Sequence, residues 1–349
     1  MFSELIEKDN IFDLYFRFFS GAGDCAAEEC SAYLYAKTCI KEADWHWLQF
    51  HFDAFPPHPV ARELSEICAR IEAKIPGGGK TLISNIASRK NRERDENDYQ
   101  GILQDFAEIL IISRVVHLDW PRSAKFSYEP SGKTGKRPEL VVDALGKRYM
   151  FEVKAPSLLD HQRNRQKKRF QLPTRGVFSP DQVKELVKLE TATLARDGPV
   201  KDFLVSGQAK FSDFEDCDGA NILVIVWDDY IYEPIGSLTS QISGLLTENS
   251  WFRDDDDEAV VFPKIDAIIV IRHLLYFSEG LADGNLADRT SAFDFGGKGA
   301  LPNVAISTPW GRRIPKHIAN GLRAVDHKDK SLEGMAEYRI QDLILWDIF

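Results

Sequence analysis

Two glutamates and a lysine, set on either side of a short turn, are the residues of this chain best placed to do chemistry. From Arg137 to Pro156 the sequence reads RPELVVDALGKRYMFEVKAP, with apolar and polar residues alternating on both sides of Ala144-Leu145-Gly146-Lys147. That is the pattern of two strands joined by a tight turn. A two-residue turn at Leu145-Gly146 sets Glu139 opposite Glu152. Side chains alternate between faces with period two. Glu139, Glu152 and Lys154 therefore share one face, and Leu140, Val142, Phe151 and Val153 the other. Two carboxylates side by side repel unless positive charge lies between them, and a divalent metal ion is a natural occupant. Asp143 is a rival for the first acid. It shares a face with Glu139, but this register sets it opposite Arg148, nearer the turn; a slipped turn would change that.

The elements that must hold this hairpin follow from the periodicity around it. Asp98 to Val116 carries a broad apolar face through Tyr99, Ile102, Leu103, Phe106 and the Ile109–Ile112 block, and reads as a long helix. Glu108 sits inside that block, either at the edge of the buried face or as an active-site acid. A strand is expected around Ala124 to Tyr128. Beyond the hairpin, Ser157 caps a polar helix through Arg169, and Ser179-Pro180-Asp181 opens another over Gln182 to Ala195. Gly198 to Asp218 reads as a strand plus loop. Residues 220–227 and 265–272 are nearly all apolar, as in strands buried on both faces. Ile242 to Asn249 reads as helix, residues 279–313 as a long irregular excursion, Pro315 to Ala324 as helix, and Tyr338 to Phe349 as strand or helix.

The first 75 residues read as helical, and the mixed charge run from Arg89 to Glu96 marks a boundary near residue 95. This divides the chain into a helical region over 1–95, suited to specificity, oligomerisation or docking of a partner protein, and a domain over 96–349. Within the first region Trp45 to Phe52 is strongly aromatic, as a helical core or a platform for bases would be. Ile75 to Thr81 resembles the end of a phosphate-binding loop. It lacks the first glycine of that pattern and a preceding strand, so a glycine turn ending a helix is the simpler reading.

At 349 residues, with 44% hydrophobic and 28% charged content, the chain is ordinary globular material. No apolar run is long enough for a membrane span. The N-terminal MFSELIEKDN places acids where a secretion signal carries bases, so cytoplasmic residence is expected. The five cysteines form no C-x-x-C pair, and reduced thiols are expected. A net charge of −10 argues against a general polyanion binder. Yet six Lys or Arg and no acid lie between His161 and Arg175. Arg163, Arg165, Lys167, Lys168 and Arg169 could track a phosphate backbone or form a solvated helix face. The acidic run Asp254 to Glu258 could hold a cation or be a hydrated loop. Arg312 and His317 match the loose R-x4-H spacing of some ribonucleases.

The order helix, strand, acid-bearing hairpin, helix, buried strand, together with Pro138-Glu139 and then Glu152-Val153-Lys154, resembles the PD-(D/E)xK nuclease superfamily over roughly residues 98–275. The resemblance implies an α/β, restriction-endonuclease-like αβββαβ core with a mixed sheet. It departs from the family in one respect: the first acid is Glu where Asp is usual. It implies Mg²⁺ or Mn²⁺ held by Glu139 and Glu152, with the Val153 carbonyl as a further ligand, Glu108 completing the shell and Asp143 as the alternative acid. It implies that Lys154 orients the attacking water and contacts the scissile phosphate. Gln182, with Leu186 four residues on, looks similar to the family's helix glutamine. The implied activity is metal-dependent phosphodiester hydrolysis, most naturally by a DNA endonuclease in restriction or anti-phage defence, with RNA as the other substrate. A non-catalytic member of the fold that binds nucleic acid or a protein partner is the alternative.

Overall fold

The computed structural model describes residues 26–89, 95–168, 170–172, 175, 180–188, 192–215, 218–228, 230–286, 288–297, 299–335, 338–339 and 344–345. The expected helix before Phe18, together with Cys25, Arg169 and Cys217, lies outside them. The helices are α1 (Ala26–Lys41), α2 (Gln49–Asp53), α3 (Pro59–Lys74), α4 (Gly78–Ser88), α5 (Glu96–Val116), α6 (Leu158–Lys167), α7 (Pro180–Lys188), α8 (Asp197–Phe211), α9 (Tyr232–Thr239), α10 (Leu274–Leu281) and α11 (Lys316–Gly321). The strands are β1 (Lys125–Tyr128), β2 (Leu140–Ala144), β3 (Lys147–Lys154), β4 (Phe170–Gln171), β5 (Ala192–Thr193), β6 (Gly219–Trp227), β7 (Ala267–Arg272), β8 (Asn303–Ser307), β9 (Ala324–Asp326) and β10 (Ile344–Leu345). The protein is α/β with a mixed sheet. Among the described residues no helix is long and apolar enough to cross a membrane.

The chain groups into two units, one running to Tyr128 and taking in Leu274–Leu301, the other made of Glu129–His273 and the residues from Pro302 onward. The first unit thus extends past the expected boundary at residue 95. Its helices pack on one another because each carries an apolar stripe. On α3, Leu64, Cys68 and Ile71 are buried at helical spacing, and Pro59 opens the helix where its missing N–H costs nothing. On α5, Asp95 accepts from the Asn97 N–H at 2.9 Å and caps the helix. Phe106 meets Phe277 and Phe293 with ring centroids 5.6 and 5.1 Å apart. The aromatic stretch is divided: Phe52 is buried beside Leu48, Trp45 and Trp47 are half-buried with Trp47 packed on Tyr99, and Phe50 is exposed. Gly77, at φ +85°, turns the chain from α3 into α4, and the Glu72 carboxylate accepts from the Gly77 and Lys80 N–H groups. A side chain of the protein fills the place where a phosphate would bind.

In the second unit six strands lie in the order β2-β3-β6-β7-β8-β9. Pairs β2/β3 and β7/β8 are antiparallel, and β3/β6, β6/β7 and β8/β9 are parallel. Strand β6 is buried from Ala220 to Trp227, as its unbroken apolar sequence requires. A smaller sheet has the order β10-β4-β5. Three expectations are corrected here. Residues 197–211 form helix α8 and not a strand, because Val200, Leu204, Gly207 and Phe211 recur at helical spacing and make its buried stripe. Ile242 to Asn249 is a series of turns; a Cβ on Gly244 would lie 2.6 Å from the Ser240 N and O, so the chain folds back too tightly for a helix. The excursion over 279–313 contains β8, whose NVAIS is buried at four of five positions between two partner strands.

Candidate active site

The hairpin has the register its sequence implies: Leu140 pairs with Phe151 and Asp143 with Arg148. Leu145 and Gly146 both have positive φ, 54° and 71°, as a two-residue hairpin turn matched to strand twist demands. Both faces of the strand pair are covered, so Glu152 is fully buried and Glu139, just before β2, is 7% exposed.

Two lysines hold these acids. Lys154 Nζ is 2.6 Å from Glu152 Oε1. Lys210, one residue from the end of α8, places its Nζ 2.7 Å from the same oxygen and 3.2 and 3.4 Å from the two Glu139 oxygens. One ammonium thus bridges both carboxylates. Both Glu152 oxygens are buried without a hydrogen-bond partner, so the lysines meet Oε1 as ion pairs. Burial pushes the Glu139 carboxyl up to about 7, the Glu152 charge adds to this, and Lys210 and Lys154 oppose it. Burial also works against the charge on Lys210, but the two glutamates outweigh it and hold that ammonium above its ordinary range.

Helix α8 delivers Lys210 because it packs on β3 and β6 and because its end is fastened to the loop before β2. Just past the helix, the Asp213 carboxylate accepts from the Thr134 N–H at 2.8 Å and the Lys136 N–H at 3.1 Å. Gly132 lies so close that a Cβ there would stand 2.2 Å from Asp213 Oδ2. The same short segments therefore set the positions of both Glu139 and Lys210.

The remaining expected acids and the glutamine have settings of their own. Asp143 is bonded by Arg148 Nε at 2.9 Å near the turn. Glu108 belongs to the first unit, half-buried on α5, where the Tyr128 hydroxyl donates to it at 2.8 Å. Gln182 is exposed on α7. Among the described residues no group of three or more His, Cys, Asp and Glu is arranged to hold a metal ion. The Glu139–Glu152 pair still suits a hard divalent cation. It offers carboxylate oxygens, two of them without a hydrogen-bond partner, and Mg²⁺ is commonly held by one or two carboxylates with water completing the shell.

Helix α6 follows the site, capped by Ser157, whose Oγ accepts from the Asp160 N–H. Leu158 and His161 are buried on its inner face, while Arg163 and Lys167 are exposed four residues apart. Arg165 points inward, its guanidinium 4.4 Å from the Tyr230 ring centroid and donating to the Tyr230 hydroxyl at 2.9 Å. Lys168 is half-buried at the end of the helix. The basic stretch is thus divided between an outer and an inner face.

Lys210 carries no sequence signal, since it lies 56 residues beyond Lys154 on a separate element. A second buried ionic group carries no sequence signal either. Arg196 Nη2 lies 2.8 Å from Asp228 Oδ2 and pairs with Glu233, and its guanidinium stacks 4.3 Å from the Trp227 ring centroid. His161 Nε2 is 3.9 Å from Asp228 Oδ2. Burial drives the His161 imidazole down to about 3; Arg196 and Arg165 add to this and Asp228 opposes it.

The remaining candidates have structural partners. Arg312 clasps the Asp266 carboxylate through its backbone N–H, Nε and Nη2, and His317 packs edge-on against Tyr149. In the acidic run, Asp254 Oδ1 accepts from the Asp256 and Glu258 N–H groups and closes an exposed turn. Cys30 and Cys68 are buried on helices, and Cys39 is half-buried. No family model, curated protein or solved structure matches the chain.

Proposed function

We propose that this protein is a metal-dependent nuclease of the PD-(D/E)xK kind, with Glu139, Glu152 and Lys154 as its site and DNA as its first substrate. The observation that carries the reading is the buried pair of glutamates joined by one lysine ammonium, with Lys154 in contact with the second. The element order α5-β1-β2-β3, then helices, then β6 parallel to β3 supports an αβββαβ core. Restriction or phage defence is the setting that reading suggests, and the surface of the helical first unit is available for specificity, self-association or a partner.

Glu139 and Glu152, with the Val153 carbonyl, would hold Mg²⁺ or Mn²⁺; when bound, such an ion supplies an acidified water and neutralises charge at the scissile phosphate. The chain's own residues do the rest. Two buried carboxylates fix the position of the cation-binding oxygens before substrate arrives, and their burial strengthens every charge interaction there. Lys154, with its Nζ 2.6 Å from Glu152 Oε1, orients the attacking water and meets the phosphate. Arg163 and Lys167, exposed on α6, offer a backbone contact.

The test is cleavage of supercoiled, linear and single-stranded DNA and of RNA with Mg²⁺, Mn²⁺ or EDTA, comparing wild type with Lys154→Ala and Glu152→Gln. Metal-dependent cleavage lost in both variants supports the proposal. The second reading, a nuclease fold that binds without cutting, is favoured by the charge balance of the pair, which two lysines already satisfy. Nucleic-acid binding with no cleavage under any metal would establish it in place of the first.

A further inference from the structure

We propose that Lys210 is the resident counter-ion of the Glu139–Glu152 pair, and that a divalent cation enters only by displacing it. The proposal rests on the reading above that such an ion belongs at this pair. Lys210 Nζ contacts both carboxylates, at 2.7 Å on Glu152 and at 3.2 and 3.4 Å on Glu139, whereas Lys154 Nζ meets Glu152 Oε1 at 2.6 Å. A bridging ion needs the same oxygens that Lys210 occupies.

Charge leads to the same conclusion. Two carboxylates and two ammonium groups balance; adding a divalent ion with both lysines in place leaves two uncompensated positive charges in a buried site, which is costly. One ammonium has to leave. The backbone of α8 cannot carry Lys210 away easily, because Asp213 ties its end to Thr134 and Lys136. The side chain has a route, being 23% exposed on a flexible stem. Both Glu152 oxygens are buried without a hydrogen-bond partner, so the carboxylate has donor capacity left for an incoming ion. The site is therefore closed by its own cation and opens as that cation swings out.

The test is Mn²⁺ binding to the full chain, read by calorimetry and by electron paramagnetic resonance of free Mn²⁺, for wild type, Lys210→Met, Lys210→Arg and Glu152→Gln. Removing the competing charge should tighten Mn²⁺ binding by about tenfold or more in Lys210→Met. Lys210→Arg should bind as weakly as wild type, and Glu152→Gln should not bind. Lys210→Met should also melt lower than wild type without metal and regain stability on addition of Mn²⁺. Should that variant fail to fold, wild type alone decides: reductive methylation of Lys210, followed by mass spectrometry, should speed up when saturating Mn²⁺ is added. Equal or weaker binding by a folded Lys210→Met, or Lys210 reactivity indifferent to Mn²⁺, overturns the proposal. Cleavage by wild type together with unchanged binding by Lys210→Met would sink this inference and leave the nuclease reading standing. Tighter binding without cleavage by any form would do the reverse.

Discussion

Asp143 stands directly across the hairpin from Arg148, and Arg148 Nε donates to its Oδ1 at 2.9 Å. That pair occupies Asp143 near the turn and leaves Glu139 as the first acid of the proposed site. Four residues of strand, roughly 13 Å, separate Asp143 from Glu139, and the Asp143 side chain is 45% exposed beside its own arginine. Asp143→Asn should therefore leave metal-dependent cleavage and Mn²⁺ affinity at wild-type levels. Glu139→Gln should lower cleavage by about a hundredfold or more. Equal losses in the two variants would mean that the hairpin slips its register when metal or substrate binds.

Much of this arrangement is legible in the amino-acid order, and the reason is local. A hairpin with a two-residue turn has its register set by residues 139–152 alone, so period-two alternation places Glu139 beside Glu152 before any tertiary contact is known. The buried strands β6 and β7 announce themselves by unbroken apolar runs. Lys210 does not. Its place depends on how α8 crosses back over β3 and on the Asp213 fastening, both properties of the packed unit. The Arg196–Asp228–Glu233 group is hidden for the same reason: three charged residues from a turn, a strand end and a helix meet only when β6 runs parallel to β3. Glu108 shows the converse limit. Its helix was readable, but helix periodicity does not say that a tyrosine hydroxyl will bind its carboxylate.

Gly132→Ala tests the fastening that positions Lys210. The added methyl would stand 2.2 Å from Asp213 Oδ2 and 2.8 Å from its Cγ. Asp213 cannot retreat without releasing the Thr134 and Lys136 N–H groups. The variant should lose about 1–3 kcal/mol in denaturant unfolding, the usual cost of overpacking. A variant as stable as wild type would show that the loop has room to shift.

The divided basic stretch predicts two different phenotypes. Arg163 and Lys167 are exposed, and replacing both with alanine should weaken DNA binding uniformly across sequences. The slope of log affinity against log salt should fall by about 0.9 for each lost phosphate contact. Stability should hardly change, since exposed charges contribute little. Arg165→Ala removes the Tyr230 stacking and hydrogen bond, and should lower the melting temperature. Binding that is unaffected by the double variant would make α6 a solvated face and nothing more.

His161 gives the stability of the second unit a pH dependence whose sign can be worked out. Its imidazole is held at about 3 in the folded chain by burial, with Arg196 and Arg165 adding to the shift and Asp228 opposing it; unfolded, it returns to about 6.5. A depressed folded value means that the unfolded chain takes up the proton first. The stability contributed by neutral His161 is therefore complete above about pH 6.5 and is lost as pH falls from there toward 3, amounting to about 2 kcal/mol by pH 5. Wild type should lose more stability than His161→Gln between pH 7 and pH 5 in denaturant melts by about that amount. The His161 ring proton should show no titration over that range by NMR. An imidazole that titrates near its ordinary value in the folded protein would mean that Asp228 outweighs burial and that His161 carries charge beside it.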